Sequence, residues 1–227
     1  MPSLPQDLAH AAKEAGRPLP KIITVTLDVS DRASVEAAAK EVERDFDGRL
    51  DILVNNAGVF EEVAKVGDSE PEAWWDTWTV NLRGTYLVTR AFLPLLLKAE
   101  AKQIINVSSI GAHWIFPGCS AYQVSKLALL RFTEFVNVEY GDRGITCTAV
   151  HPGVVETDIL AKWPPGHKKV EFTDSLALAS DTIVWLSAEK RSWLGGRYIS
   201  CTWDVVELEA RKGDIVERDL LKVRMTL

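Results

Sequence analysis

Short runs of β-branched and other apolar residues alternate along this chain with longer stretches of helical period, and each run stops in a polar or glycine-bearing turn. That alternation restricts the fold more than any other feature. Strands separated by helices do not pair as hairpins. They lie parallel, and the helices between them cover both faces of the sheet. The chain therefore reads as α/β, with a doubly wound parallel sheet. In such sheets ligands bind just beyond the C-terminal ends of the strands, so the turns that follow the apolar runs are where chemistry is to be sought.

The elements follow from local signals. Residues 5–15 read as a short amphipathic helix stopped by Gly16 and Pro18, and Ile22–Leu27 as a strand closing on Asp28. Ser30 or Asp31 is placed to cap a helix that runs to about Phe46. Ile52–Val54 is a strand ending in Asn55-Asn56-Ala57-Gly58. A long helix from about Pro71 to Ala99 follows; between Leu82 and Leu97 it is apolar nearly all round and needs cover on two sides. Ile104–Val107 is a strand ending at Ser108-Ser109, Ala121–Tyr140 a second long helix, and Ile145–Val150 a strand ending at His151-Pro152-Gly153. The polar, proline-bearing stretch Thr157–Thr173 reads as a lid, Asp174–Ala188 as a helix and Arg197–Cys201 as the last strand. Residues 203–227 form a charged helical tail. With 227 residues, no repeat and no long linker, the chain is expected to be one domain with a full core.

Tyr122 and Lys126 stand four apart on a helix, so the phenol and the ammonium project from one face. A nearby ammonium favours phenolate and lowers the tyrosine pKa from its reference of about 10. A tyrosine tuned in this way exchanges a proton with a carbonyl or an alcohol. Alone, the pair is as consistent with an ordinary helix surface. Its neighbours change the reading. Ser109 ends a strand thirteen residues before Tyr122, within reach of the same carbonyl. Asn81, a poor helix former inside the long helix, points to a local kink or a bound water. Asn55–Gly58 ends a strand where backbone approaches a ligand, and Pro152-Gly153, followed by Thr157, turns over the same region.

From about residue 20 to residue 200 these residues resemble, in order and spacing, the short-chain dehydrogenase/reductase family. The resemblance implies a Rossmann-like fold and NAD(P)(H)-dependent interconversion of a carbonyl and an alcohol on a small apolar or aromatic molecule. It casts Tyr122 as the general acid/base and Ser109 as the holder of the substrate oxygen. Lys126 would lower the Tyr122 pKa and bind the nicotinamide ribose, and Asn81 would hold a water linking Lys126 to solvent. Cofactor contacts fall on Asp28 and Val29 at the adenine, Asn55 and Gly58 along the adenosine ribose, Tyr122 and Lys126 at the nicotinamide ribose, and Val155 and Thr157 at the carboxamide. NAD and NADP are both open, with NADP preferred on family grounds. The two long helices match the family's usual dimer interface, which implies a homodimer or homotetramer.

The family opens with a strand and a Thr-Gly-x-x-x-Gly-x-Gly loop whose helix N-terminus binds the pyrophosphate. Here the first strand, ending at Asp28, resembles the family's third. The chain is expected either to start inside a longer protein or to be a short form. Without the opening segment the dinucleotide would be poorly held at its pyrophosphate, and the sheet would be incomplete on its N-terminal side. It would either close up across the adenine slot or leave the edge of the Ile52–Val54 strand unpaired. Two other functions stay open: a nicotinamide-free isomerase, dehydratase or cyclase using the same Tyr122–Lys126 pair, and a non-catalytic assembly partner.

A net charge of -6 and a pI near 5.3 repel phosphate backbones and argue against nucleic acid as a partner. Cys119, Cys147 and Cys201 are widely spaced, with no CxxC or HExxH pattern, so neither a disulfide framework nor a metal site is expected. A reducing cytoplasm is the simplest home. Met1–Gly16 lacks a signal-peptide core, and the apolar stretch Ala91–Leu97 is too short to cross a membrane. His113 and Trp114 are placed to line the substrate pocket, with Trp163 and His167 in the lid beside them. Trp74, Trp75 and Trp78 read as core or interface. Cys119 has no base near it and reads as a bystander, and His151 as a turn residue.

Overall fold

The computed structural model describes residues 4–157, 159 and 173–225. Four parallel strands, β1 (Ile52–Asn55), β2 (Gln103–Val107), β3 (Thr146–His151) and β4 (Tyr198–Ser200), form one sheet in the order β1-β2-β3-β4. Ile52 stands opposite Gln103, Gln103 opposite Thr146, and Ala149 opposite Tyr198. Every residue of β2, β3 and β4 is buried, as expected of strands covered on both faces.

The helices are α1 (Leu4–Glu14), α2 (Arg32–Asp45), α3 (Pro71–Trp78), α4 (Thr85–Lys98), α5 (Ser120–Tyr140), α6 (Leu176–Ala188), α7 (Val205–Ala210) and α8 (Lys212–Glu217). Side chains of β2 alternate between the two faces. Ile104 packs with Leu96 of α4 and Val136 of α5, whereas Ile105 packs with Leu186 of α6, Leu208 of α7 and Ile215 of α8. The Asp204 side chain caps α7, and the Leu221 carbonyl accepts a hydrogen bond from the Tyr198 amide. The charged tail is therefore built into one covering layer of the sheet.

Two expectations need correction. The long helix predicted over 71–99 is interrupted: between α3 and α4 lies a π-helical segment, Thr79–Gly84, centred on Asn81. The irregularity anticipated at Asn81 takes the form of an extra residue in the turn. The predicted strand Ile22–Leu27 is not a strand, and residues 17–28 carry no regular structure. The reason is the missing partner, since a strand exists only by bonding to a neighbour. Val25 and Val29 lean on the cluster formed by Val35 and Ala38 of α2 with Leu87, Val88 and Phe92 of α4. That contact holds the extended segment in place without a ladder.

Between this segment and the sheet lies an open groove of about 240 Å³, walled by Leu27 and Val29 on one side and Val54–Ala57 on the other. Among the described residues, strand β1 bonds only to β2 and its outer edge is unpaired, with Val54 40% exposed. Of the two outcomes expected for the incomplete sheet, the structure shows the unpaired edge.

Candidate active site

The residues singled out beyond the strand ends converge on one cavity of about 640 Å³. Its walls come from the turn after β1 (Asn56–Gly58), the end of β2 (Ser109), α5 (Tyr122 and Lys126), the end of β3 (His151–Val155, then Thr157) and α6 (Ile183). Most of the lining is apolar, with Phe60, Trp114 and Phe116 contributing aromatic faces.

Ser109 caps a short 3₁₀ turn, its hydroxyl accepting from the Gly111 amide at 3.0 Å. Gly111 lets it sit near Tyr122: a Cβ on that glycine would stand 3.2 Å from Ser109 Oγ and 3.5 Å from the Tyr122 ring. The Tyr122 ring packs on Phe60, ring centres 4.9 Å apart. Lys126 lies behind the ring, Nζ 5.6 Å from its centre, and donates to the Val107 carbonyl at 2.8 Å. Asn81 is fully buried at the π-helical segment. Its Oδ1 accepts from the Val59 amide, and its Nδ2 donates to the Val59 carbonyl and to Ser125 Oγ. The amide side chain thus ties the turn after β1 to α5, one residue before Lys126.

Desolvation dominates the electrostatics of the pair. Burial pushes the Tyr122 phenol above its ordinary value; the Ser109 hydrogen bond pulls the other way, and the Glu61 carboxylate adds to the rise. The lysine itself is brought down to about 8 by burial. Burial also lowers His151 to about 4, so at neutral pH it is an uncharged wall of the cavity. Cys119 is raised to about 11 by burial, with Glu61 adding to the rise. Such a thiol is poorly nucleophilic, in keeping with a bystander.

The remaining predicted residues divide. Val155, Thr157, Gly58 and Trp114 line the cavity. His113 does not; it packs edge-on against Tyr198, centres 4.6 Å apart, beside a separate cavity at the end of β4. Asn55 turns inward, where its Nδ2 bonds Thr89 Oγ1 and Asn106 Oδ1, stitching β1 to α4 and β2. Asn56 lines the cavity in its place. Asp28 spends its carboxylate on the amide and hydroxyl of Ser30, while Val29 packs so tightly on Gly84 that a Cβ there would lie 2.9 Å from it. Trp74 donates from its indole to Ser120 Oγ at 3.0 Å and stacks on Trp78, and Trp75 is exposed. Trp163 and His167 lie outside the described residues. Sequence reasoning missed Phe60 and Glu61, which follow the Asn55–Gly58 turn in no recognisable motif.

The buried Lys126 has a measurable consequence. Its pKa is near 8 in the folded chain against 10.5 when exposed, so the unfolded chain binds more protons between those values. Stability from this group therefore rises with pH through that window. Lys126→Met removes the effect. The variant is expected to be more stable than the parent below pH 8, an advantage that shrinks by about 3 kcal/mol by pH 10.5, read from urea unfolding at a series of pH values. A stability difference independent of pH would contradict the buried ammonium.

Known proteins place this geometry in context. The profile of the short chain dehydrogenase family matches residues 3–168. The short chain dehydrogenase mpl6 of Monascus purpureus is 54% identical over 217 residues, covering 96% of this chain and 74% of that one. The short chain dehydrogenase pigC of Monascus ruber is 49% identical over 227 residues, 99% of this chain and 74% of the relative. Among solved structures, NADPH-bound carbonyl reductase from chicken fatty liver superposes with a TM-score of 0.69 at 26% identity, over 86% of this chain and 79% of that one. On the family match and these identities, this chain belongs to the short-chain dehydrogenase family.

Proposed function

We propose that this protein is an oxidoreductase that interconverts a carbonyl and an alcohol on a small, largely apolar or aromatic molecule, using NADPH or NADH and Tyr122 as the general acid/base. The observation that carries the reading is that Ser109 and Tyr122 line one mostly apolar cavity together, with a buried lysine behind the phenol ring. The substrate carbonyl lies between the two hydroxyls. Ser109 orients its oxygen, and Tyr122 delivers the proton. With burial holding the phenol above its ordinary value, Tyr122 is protonated at neutral pH, the form that gives a proton to a carbonyl oxygen. When bound, the nicotinamide supplies the hydride.

The residues present suit the nicotinamide end of such a cofactor. Lys126 is only 3% exposed, its ammonium donates to the Val107 carbonyl, and it borders the cavity. Among the described residues its two further donors meet no partner, which suits a vicinal diol. A Cβ on Gly58 would stand 3.4 Å from Asn81 Oδ1 and 3.5 Å from Lys126 Nζ, so glycine keeps that approach open. Val155 and Thr157 close the far side. They follow Gly153, held at φ +90 against Asp174, whose carboxylate accepts from the Val154 amide at 2.7 Å. Since the Asn81 amide is fully engaged, any water on a proton path to Lys126 would use its backbone, and its side chain serves to hold the Gly58–Val59 turn. No glycine-rich turn opening a helix onto a pyrophosphate occurs among the described residues, and Asp28 and Asn55 spend their side chains internally. The adenosine end is thus less complete than the nicotinamide end.

The favoured location is the reducing cytoplasm, a reading supported by three free, buried cysteines. The favoured assembly is a homodimer or homotetramer. Val124, Leu127, Phe135 and Val138 form one exposed stripe along α5, next to exposed Tyr86 of α4. An apolar stripe at this spacing on a rigid helix suits an isologous contact with a second copy.

Two outcomes test these readings. In reductions driven by NADPH across a panel of aromatic and aliphatic carbonyls, Tyr122→Phe is expected to lower kcat by at least about 100-fold while leaving the melting temperature nearly unchanged; a variant that keeps more than a tenth of the rate would remove Tyr122 from the role. In sedimentation velocity at micromolar concentration, the protein is expected to run as a dimer or larger and Phe135→Arg as a monomer. A monomeric parent would contradict the helix interface.

A further inference from the structure

The N-terminus of α5, which carries Tyr122, has no cap of its own. Cys119 stands at the N-cap position and makes no side-chain hydrogen bond there. The first turn of a helix leaves amide donors without partners. Here a carboxylate from another part of the chain meets one of them. Both oxygens of Glu61 accept from the Tyr122 amide at 3.0 Å. Glu61 is only 8% exposed, so this is a buried acid spending its charge on a helix N-terminus, where the helix dipole favours a negative group.

The segment around Glu61 is fastened to the same spot by other contacts. Phe60 packs on the Tyr122 ring. The Ala64 amide donates to the Gly118 carbonyl at 3.1 Å, and Gly118, with φ +89, sits so close that a Cβ would come within 2.6 Å of Val63. The residues after β1 thus form a strap across the start of α5, and Glu61 is its only charged bond to the amide of the residue that bears the phenol. We propose that Glu61 is a positioning residue: its carboxylate clamps the Tyr122 backbone and thereby fixes the phenol against Ser109 and in front of Lys126.

The clamp carries a charge as well as a geometry. The titratable and polar groups around the Tyr122 phenol are Ser109 from the end of β2, Lys126 from α5 and Glu61 from the strap, with Cys119 beside Glu61. Glu61 raises the phenol pKa, and it therefore reinforces the protonated, donating form. This part of the inference rests on the role proposed for Tyr122; the clamp itself does not.

Amide NMR on ¹⁵N-labelled full chain separates the two. Glu61→Ala should speed hydrogen exchange at Tyr122 by about tenfold, as loss of a helix cap does, and Glu61→Gln, which keeps one acceptor, should restore most of the protection. A Tyr122 amide that exchanges equally fast in the parent and Glu61→Ala overturns the clamp. In turnover, Glu61→Gln should move the upper limb of the pH–rate profile for reduction to lower pH. An unmoved profile with the NMR signature intact overturns the acid role of Tyr122 and leaves the clamp standing.

Discussion

The hydrogen bonds of Asn81 are the constraint on which the site depends. A fully buried amide side chain must find partners or cost several kcal/mol, and Asn81 finds them on two other elements, the Val59 backbone and Ser125. To meet them, the chain abandons regular helix for a π-helical segment between α3 and α4. The exchange fixes where the turn after β1 lies relative to α5, and hence where Gly58 lies relative to Lys126. Loop and catalytic helix are locked by one side chain that need not touch a substrate.

Around that lock the site is dry, and dryness decides its electrostatics. The pattern Tyr-x-x-x-Lys suggested a cation lowering a phenol. In the folded chain the stronger effect is desolvation, which acts on both groups and pushes them toward their neutral forms. The lysine bonds to a carbonyl at the end of β2 and stays behind the ring, so Ser109 is the group that opposes the rise at Tyr122. The outcome is a tyrosine held in its protonated form beside a lysine brought down to about 8.

Much of this was legible in the sequence because it was local. Period and caps identify α2, α5 and the strands β1 to β4, and Asp31 caps α2 as expected. The convergence of Ser109, Tyr122, Lys126, Gly58, Val155 and Thr157 on one cavity follows from their places beyond strand ends. What failed was non-local. Ile22–Leu27 has the residues of a strand, but pairing is a property of two segments, and the edge of β1 lies across an open groove. Side-chain direction was not legible either: His113 packs on Tyr198, and the Asn55 and Asp28 side chains bond to internal partners, by packing that no spacing reveals. Glu61 was invisible because its partner is a backbone amide 61 residues on.

The central claim is that this cavity passes a hydride to a carbonyl carbon while Tyr122 supplies the proton. The most direct measurement is reduction of an aromatic ketone with NADPH deuterated at C4 of the nicotinamide, with the product analysed by mass spectrometry. The account predicts an alcohol carrying one deuterium on the carbinol carbon when the transferring face is labelled, and none formed without nucleotide. Product that forms in the absence of nucleotide, or that carries no deuterium whichever face is labelled, would contradict it.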